Sequence, residues 1–201
     1  MDKPIIKKEC VKTLYETKII NIYDFQYEDG QHYYNATRRA KEDIVATKSS
    51  EDYKVMLPDA VSCVLVLRQK GEEPKLLLSR EYRYPAGQFL LSVPAGLIDE
   101  KELTREEAVK NTAIREIKEE TELTIKETDR VEILSPFLFS SPGMTDESNA
   151  FVLVDAEVDD LNDLNQDGID LFCVGFVFII KCKNVTKLGA DHIQSGHNSF
   201  L

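Results

Sequence analysis

The chain is short of basic charge, of histidine, of paired cysteine and of long apolar runs, and each shortage removes a class of function. Lysine and arginine number 25 against 36 aspartates and glutamates, a formal net charge of -11. No nucleic-acid-binding surface is expected, because that requires a basic footprint. The three histidines, His32, His192 and His197, are too dispersed to build a Ser-His-Asp or Cys-His set. The four cysteines, Cys10, Cys63, Cys173 and Cys182, form no CxxC pair; they read as reduced thiols, not as metal ligands. The longest apolar run, LFCVGFVFII at 171–180, is about half the length that a bilayer-spanning helix needs. It reads as a buried strand, and no membrane partner is expected. The opening MDKPIIKKEC lacks the apolar core of a signal peptide, so a cytoplasmic location is expected.

What is present suits one compact domain with a small extra element: 201 residues, 42% hydrophobic and 30% charged. The first part has β character. TKIINIYDFQYE (17–28) and QHYYNATRR (31–39) flank Asp29-Gly30, a hairpin signal. The polar KSSEDYK (48–54) separates this hairpin from the rest. Strand patterns follow at DAVSCVLVLRQ (59–69), LLLSREYRY (76–84), VEILSPFLFSS (131–141), NAFVLVDAEV (149–158) and IDLFCVGFVFIIKCK (169–183). Thr104 and Glu107 form a T-x-x-E capping box that opens a helix over 105–121. The expectation is an N-terminal β element at 1–56, then a mixed α/β domain at 57–201.

The end of that helix, REIKEETEL (115–123), crowds glutamates into an already acidic chain. Glu116, Glu119 and Glu120 stand at i, i+3 and i+4, so a helix brings them onto one face. At about 100° per residue they overlap the edge of the apolar stripe formed by Val109, Ala113 and Ile117. Like charges beside a core repel one another and lose solvation, which demands compensation. A hard divalent cation such as Mg2+ supplies it through oxygen ligands, and Arg115 can neutralise or orient one acid. A solvated acidic face accounts for the helix equally well when the helix is taken alone.

GLIDEKE (96–102) followed by REIKEETEL resembles the Nudix box, which runs glycine, five residues, Glu, seven residues, then Arg-Glu-apolar-x-Glu-Glu-x-Gly-apolar. Arg115, Glu116, Ile117, Glu119, Glu120 and Leu123 fall in register. Two departures stand out. Twelve residues separate Glu102 from Arg115, or ten separate Gly96 from Glu107, so about five are extra on either choice of box acid. Glu122 also stands where the box ends on glycine. The segments SREYRYPAGQFLLSVPAG (79–96) and SSPGMTDE (140–147) are similar to ADP-ribose and related nucleotide-sugar pyrophosphatases of that family.

The resemblance implies an α/β/α sandwich with a mixed sheet, preceded by a small β-hairpin element that builds a homodimer. It implies hydrolysis of ADP-ribose or another nucleoside diphosphate sugar, with Mg2+ as cofactor and Mn2+ as a substitute, giving AMP and ribose 5-phosphate. Carried over by position, Glu116, Glu119 and Glu120 resemble the metal-binding acids, with the backbone carbonyl of Ala95, at a tight turn, as a further ligand. Arg115 belongs to the same catalytic group. Arg83 and Arg80 resemble substrate-binding arginines, and Glu147 a substrate-contacting acid; Arg83 reads otherwise as a surface arginine and Glu147 as a loop acid. Phe25, Tyr33 and Tyr34 offer faces to a purine, or serve as core or dimer contacts. The family places its general base as a glutamate in a loop that here is NDLNQDGID (162–170), which contains none. Asn165 falls at the expected position and Asp167 is the acid chosen in its place, a turn aspartate on the plainer reading. The alternative function is a Nudix-like nucleotide-binding or regulatory module with weak or no hydrolysis. The ending GADHIQSGHNSFL departs from the family and is expected to be weakly ordered or to pack atypically.

Overall fold

The computed structural model describes residues 6–28, 30–99, 103–161 and 164, and the backbone of 177–181. The N-terminal element is a three-stranded antiparallel sheet in the order β1 (Val11–Tyr15), β2 (Asn21–Glu28), β3 (Gln31–Thr37). The β2–β3 hairpin lies where the Asp29-Gly30 signal placed it, and Gly30 takes a left-handed φ of 73°. β1 extends the expected hairpin by a strand. One face of this sheet buries Val11, Tyr23 and Phe25 against Ile44. The polar stretch read as a separator holds a short helix, α1 (Ser50–Val55). Its signal was present in the sequence: the Ser49 hydroxyl accepts from the Asp52 amide, and the Asp52 carboxylate accepts from the Ser49 amide.

The main sheet follows from β4 (Ala60–Gln69), whose run of buried residues on both faces marks it as central. β5 (Lys75–Arg83) pairs antiparallel with β4, and β9 (Ser148–Val158) pairs parallel with it. β8 (Arg130–Phe139) lies beyond β9, and β10 (Val177–Lys181) beyond β5, giving the order β10-β5-β4-β9-β8. β6 (Gln88–Ser92) pairs with β5, and β7 (Ala95–Leu97) pairs with β4. The sheet is therefore mixed, as expected. Of the expected last strand 169–183, only Val177–Lys181 falls within the described residues. No helix among them is long and apolar enough to cross a membrane.

Helix α2 (Arg105–Thr121) covers one face of this sheet. Val109, Ala113 and Ile117 are fully buried against Val61, Cys63, Leu65 and Leu67 of β4, Leu77 of β5, and Val152 and Val154 of β9. Burial of a side chain such as Ile117 contributes about 2 kcal/mol. The described residues thus form the mixed α+β arrangement that was expected, preceded by the small N-terminal sheet. The N-terminal sheet docks through polar contacts. The Ala36 amide donates to the Met144 carbonyl at 2.9 Å, and Arg39 donates to Asp59 at 2.8 Å and to the Ser148 hydroxyl at 3.0 Å.

The capping box forms as the sequence predicts: the Glu107 carboxylate accepts from the Thr104 amide at 3.1 Å and from its hydroxyl at 2.5 Å. Glu107 is thereby committed to the helix start. The helix stops at Glu122, which adopts φ 59° and donates its amide to the Lys118 carbonyl at 3.0 Å. It is the sole non-glycine with positive φ among the described residues. A Cβ in that conformation costs roughly 1–2 kcal/mol. The extra residues ahead of the helix thus leave the acids in register, while the missing glycine is borne as backbone strain. Replacement Glu122→Gly is expected to stabilise the fold by about 1 kcal/mol, raising Tm by roughly 2–4 °C in a thermal melt. An unchanged or lower Tm contradicts this account of the cap.

Candidate active site

The acids of α2 meet the sheet at β7. Ala95, Gly96 and Leu97 pair with Ser62, Val61 and Ala60 of β4, so this segment is a short strand and not the expected tight turn. Gly96 is required for space, since its φ is not left-handed. A Cβ there would lie 1.8 Å from the Glu116 carboxyl carbon and 1.9 and 2.3 Å from its two oxygens. The Glu116 carboxylate therefore rests directly on the β7 backbone, and the residue is only 8% exposed.

One turn further along α2, Glu120 reaches the same strand, where its Oε1 accepts from the Ala95 amide at 3.4 Å. Arg115 closes the arrangement on the other side. Its Nη1 lies 2.8 Å from Glu116 Oε1 and 3.0 Å from Glu119 Oε2, and its Nη2 donates to the Leu97 carbonyl at 2.9 Å. Glu119 itself is largely exposed.

The electrostatics follow from burial. Desolvation pushes the Glu120 carboxyl up to about 7, with the charges of Glu116 and Glu81 adding to the shift and the Ala95 amide and Arg83 opposing it. Burial also raises Glu116, against the pull of Arg115. The buried Cys63 thiol, behind these acids, is pushed to about 12 by desolvation and then by Glu120 and Glu116. It is inert packing.

Arg83 and Glu81 share the β5 face that carries Leu77 toward α2, because alternate strand residues point the same way. They form an ion pair at 2.5 Å. Arg80 falls on the opposite face, where its guanidinium lies 4.2 Å from the Phe89 ring centroid. The structure thus brings Arg83 toward the acids and does not bring Arg80. Glu147 pairs with Arg38 of the N-terminal element at 3.4 Å. Asp167 and Asn165 lie outside the described residues, as does Glu102. Phe25 and Tyr33 share one face of the N-terminal sheet, and Tyr34 lies on the other.

A family profile for the NUDIX domain matches residues 56–173, more than half of the chain. This chain belongs to the NUDIX family. Among curated relatives it is 38% identical over 101 residues to putative nudix hydrolase 2 of Caenorhabditis elegans, covering 50% of this chain and 41% of that protein. It is 28% identical over 158 residues to the ADP-ribose pyrophosphatase of Saccharomyces cerevisiae, covering 78% and 61%. It is 30% identical over 100 residues to the ADP-ribose pyrophosphatase of Bacillus subtilis, covering 50% and 47%. The chain spans less than two thirds of the length of each of these relatives.

Nudix hydrolases generally use divalent cations, and the residues here fit one. The donors are carboxylate oxygens beside a backbone strand, Gly96 gives the Glu116 carboxylate room to rest there, and burial disfavours the charged form of both Glu116 and Glu120, which a cation would favour. Among the described residues no three such side chains yet converge on one point. Arg115 contributes to this by holding Glu116 and Glu119 toward itself.

Two participants escaped the sequence reading. Gly96 was read as the box glycine and as part of a turn, and its actual role, close approach of a carboxylate, appears only in the fold. Glu81 was legible, because the alternation in SREYRY puts it on the face of Arg83. The raised Glu120 value has a stability consequence. Its unfolded carboxyl titrates near 4.5, so the folded state holds the proton more tightly and the metal-free protein loses stability as pH rises from about 4.5 through 7. Thermal melts in a chelator are expected to show this decline in the wild type and a flatter profile in Glu120→Gln. A wild-type Tm contribution that rises over that window, unaltered by the substitution, contradicts the assignment.

Proposed function

We propose that this protein hydrolyses the diphosphate bond of ADP-ribose or a related nucleoside diphosphate sugar, releasing AMP and a sugar phosphate, with Mg2+ as cofactor and Mn2+ as a substitute. The observation that carries the reading is the seating of the Glu116 carboxylate in the space above Gly96, beside the half-buried Glu120 and the Ala95 backbone. That placement gathers hard oxygen donors at the mouth of a strand where a polyanionic ligand needs a cation to bind an acidic chain. The names borne by the yeast and Bacillus relatives support ADP-ribose as the first substrate to try.

In this reading Glu116, Glu120 and the Ala95 carbonyl hold the cation, and Glu119 joins them when it leaves Arg115. Such a cation, when bound, offsets the diphosphate charge and makes water a stronger acid. Arg83 binds the phosphates from the β5 side, oriented by its ion pair with Glu81. Arg115 holds the Glu116 and Glu119 carboxylates fixed against α2. Water attacks one phosphorus, the bridging P–O bond breaks with its electron pair leaving on the bridging oxygen, and a carboxylate takes the water's proton; Asp167 is assigned that task on its sequence position. Glu147, held by Arg38, contacts the substrate. The exposed apolar residues of the N-terminal element, including Leu14, Tyr15 and Ile19, supply a homodimer contact.

The test is release of AMP from ADP-ribose with Mg2+ or Mn2+, compared with a panel of other nucleoside diphosphate sugars. Gly96→Ala is the informative variant. A flexible carboxylate can swing away from the new methyl, so Tm is expected to stay within a few degrees of wild type. Displacing the donor by more than an ångström is expected to lower kcat/KM by about 100-fold or more. Nucleotide binding without turnover in the wild type, or full activity in Gly96→Ala, overturns the proposal.

A further inference from the structure

The sheet turns a fourth carboxylate, that of Glu81, toward the acids of α2. Leu77, Ser79, Glu81 and Arg83 are alternate residues of β5 and share one face. Leu77 belongs to the core with Val109, Ala113 and Ile117, so this row leads outward from beneath the helix to an open rim. At the rim the β5–β6 hairpin pairs Glu81 with Leu90 and Arg83 with Gln88, and β6 is exposed from Gln88 to Leu91. Glu81 lies outside the REIKEE register, so the helix motif gives no hint of it.

Two arginines divide the acids between them. Arg115 holds Glu116 and Glu119, and Arg83 Nη2 lies 2.5 Å from Glu81 Oε2. Glu120 stands between the two groups on the Ala95 amide, in the field of Glu81 and Arg83 as well as of Glu116. The Glu81–Arg83 pair is open to water, its side chains 31% and 50% exposed, and an ion pair so exposed is weak and exchanges partners readily. One guanidinium charge cannot balance both Glu81 and a phosphate. Once a phosphate takes Arg83, Glu81 is left beside that phosphate and near Glu120, like charges that a cation relieves.

We infer that Glu81 is a further ligand of the cation site, held by Arg83 in the free protein and released to the cation when a phosphate takes Arg83. The inference rests on the cation site proposed above. Glu81 then links the two ligands, so that cation and phosphate each strengthen binding of the other by the same factor. The cation is held loosely until the phosphate arrives, and firmly afterwards.

Mn2+ binding to the full chain, read by loss of the free-ion EPR signal, tests this without substrate or turnover. Arg83→Gln stands in for a phosphate that has taken the arginine. In the wild type, Glu81→Gln is expected to weaken Mn2+ about threefold or less, because Arg83 already holds that carboxylate. In the Arg83→Gln background the same change is expected to weaken it about tenfold or more, since even an outer partner of a metal ligand is worth about that factor. Equal factors in the two backgrounds mean a charge felt only at a distance, and overturn the inference. Crystals of Arg83→Gln soaked in Mn2+ are expected to place a Glu81 oxygen within about 2.6 Å of the metal. Metal on Glu116 and Glu120 with Glu81 remote from it overturns the inference and leaves the cation site standing. No metal at those acids in either protein overturns the cation site itself, and the inference with it. A thermal melt reports whether the variants fold. Should Arg83→Gln not fold, wild-type crystals soaked in Mn2+ and AMP give the same reading: Glu81 on the metal supports the exchange, and Glu81 still paired with Arg83 overturns it.

Discussion

The contact on which the site depends is the one between a carboxylate and a missing side chain. Glu116 can lie against β7 only because residue 96 has no Cβ, and any side chain there would occupy the place of its carboxyl group. One turn on, the same helix face brings Glu120 onto the Ala95 amide. The packing that supports it is ordinary. Val109, Ala113 and Ile117 seat the helix on the branched side chains of β4 and β9, and the capping box fixes where the helix begins.

The arrangement is electrostatically costly, and the cost has a direction. Glu116 and Glu120 are held near an apolar interior and near each other, so both resist ionisation. Arg115 offsets part of this for Glu116 but reaches Glu120 with no direct contact. The site therefore holds an acid whose ionised form its own side chains do not fully balance. A purely structural helix would have no reason to keep it, because the opposite face of α2 offers free access to water. Uncompensated acids at this spot are what a site reserved for a cation requires.

Much of this was readable in the residues. The long strands β4, β5, β8 and β9, the β2–β3 hairpin and the capped helix each carried a local signal of the kind that survives packing, whereas the short β6 and β7 were not read as strands. The register of REIKEE was equally plain. What could not be read depended on partners distant in sequence. The role of Gly96 appears only when α2 is laid over β7. Arg80 and Arg83 looked equivalent in SREYRY until strand alternation, and the Phe89 ring, separated them. β1 and α1 are different cases, because Ser49 and Asp52 announced a cap inside a stretch dismissed for its polarity. Glu122 stood out in the sequence as the missing box glycine, and the position after the helix needs a conformation that glycine adopts without penalty.

The most direct test of the central claim is where a cation goes. Crystals soaked in Mn2+ give an anomalous signal that locates the metal without reference to activity or substrate. The account predicts one strong peak within bonding distance of Glu116 and Glu120 carboxylate oxygens, beside the Ala95 backbone. No peak there at millimolar Mn2+, or a peak that leaves Glu116 still bound to Arg115 and seated on Gly96 without touching the metal, contradicts it.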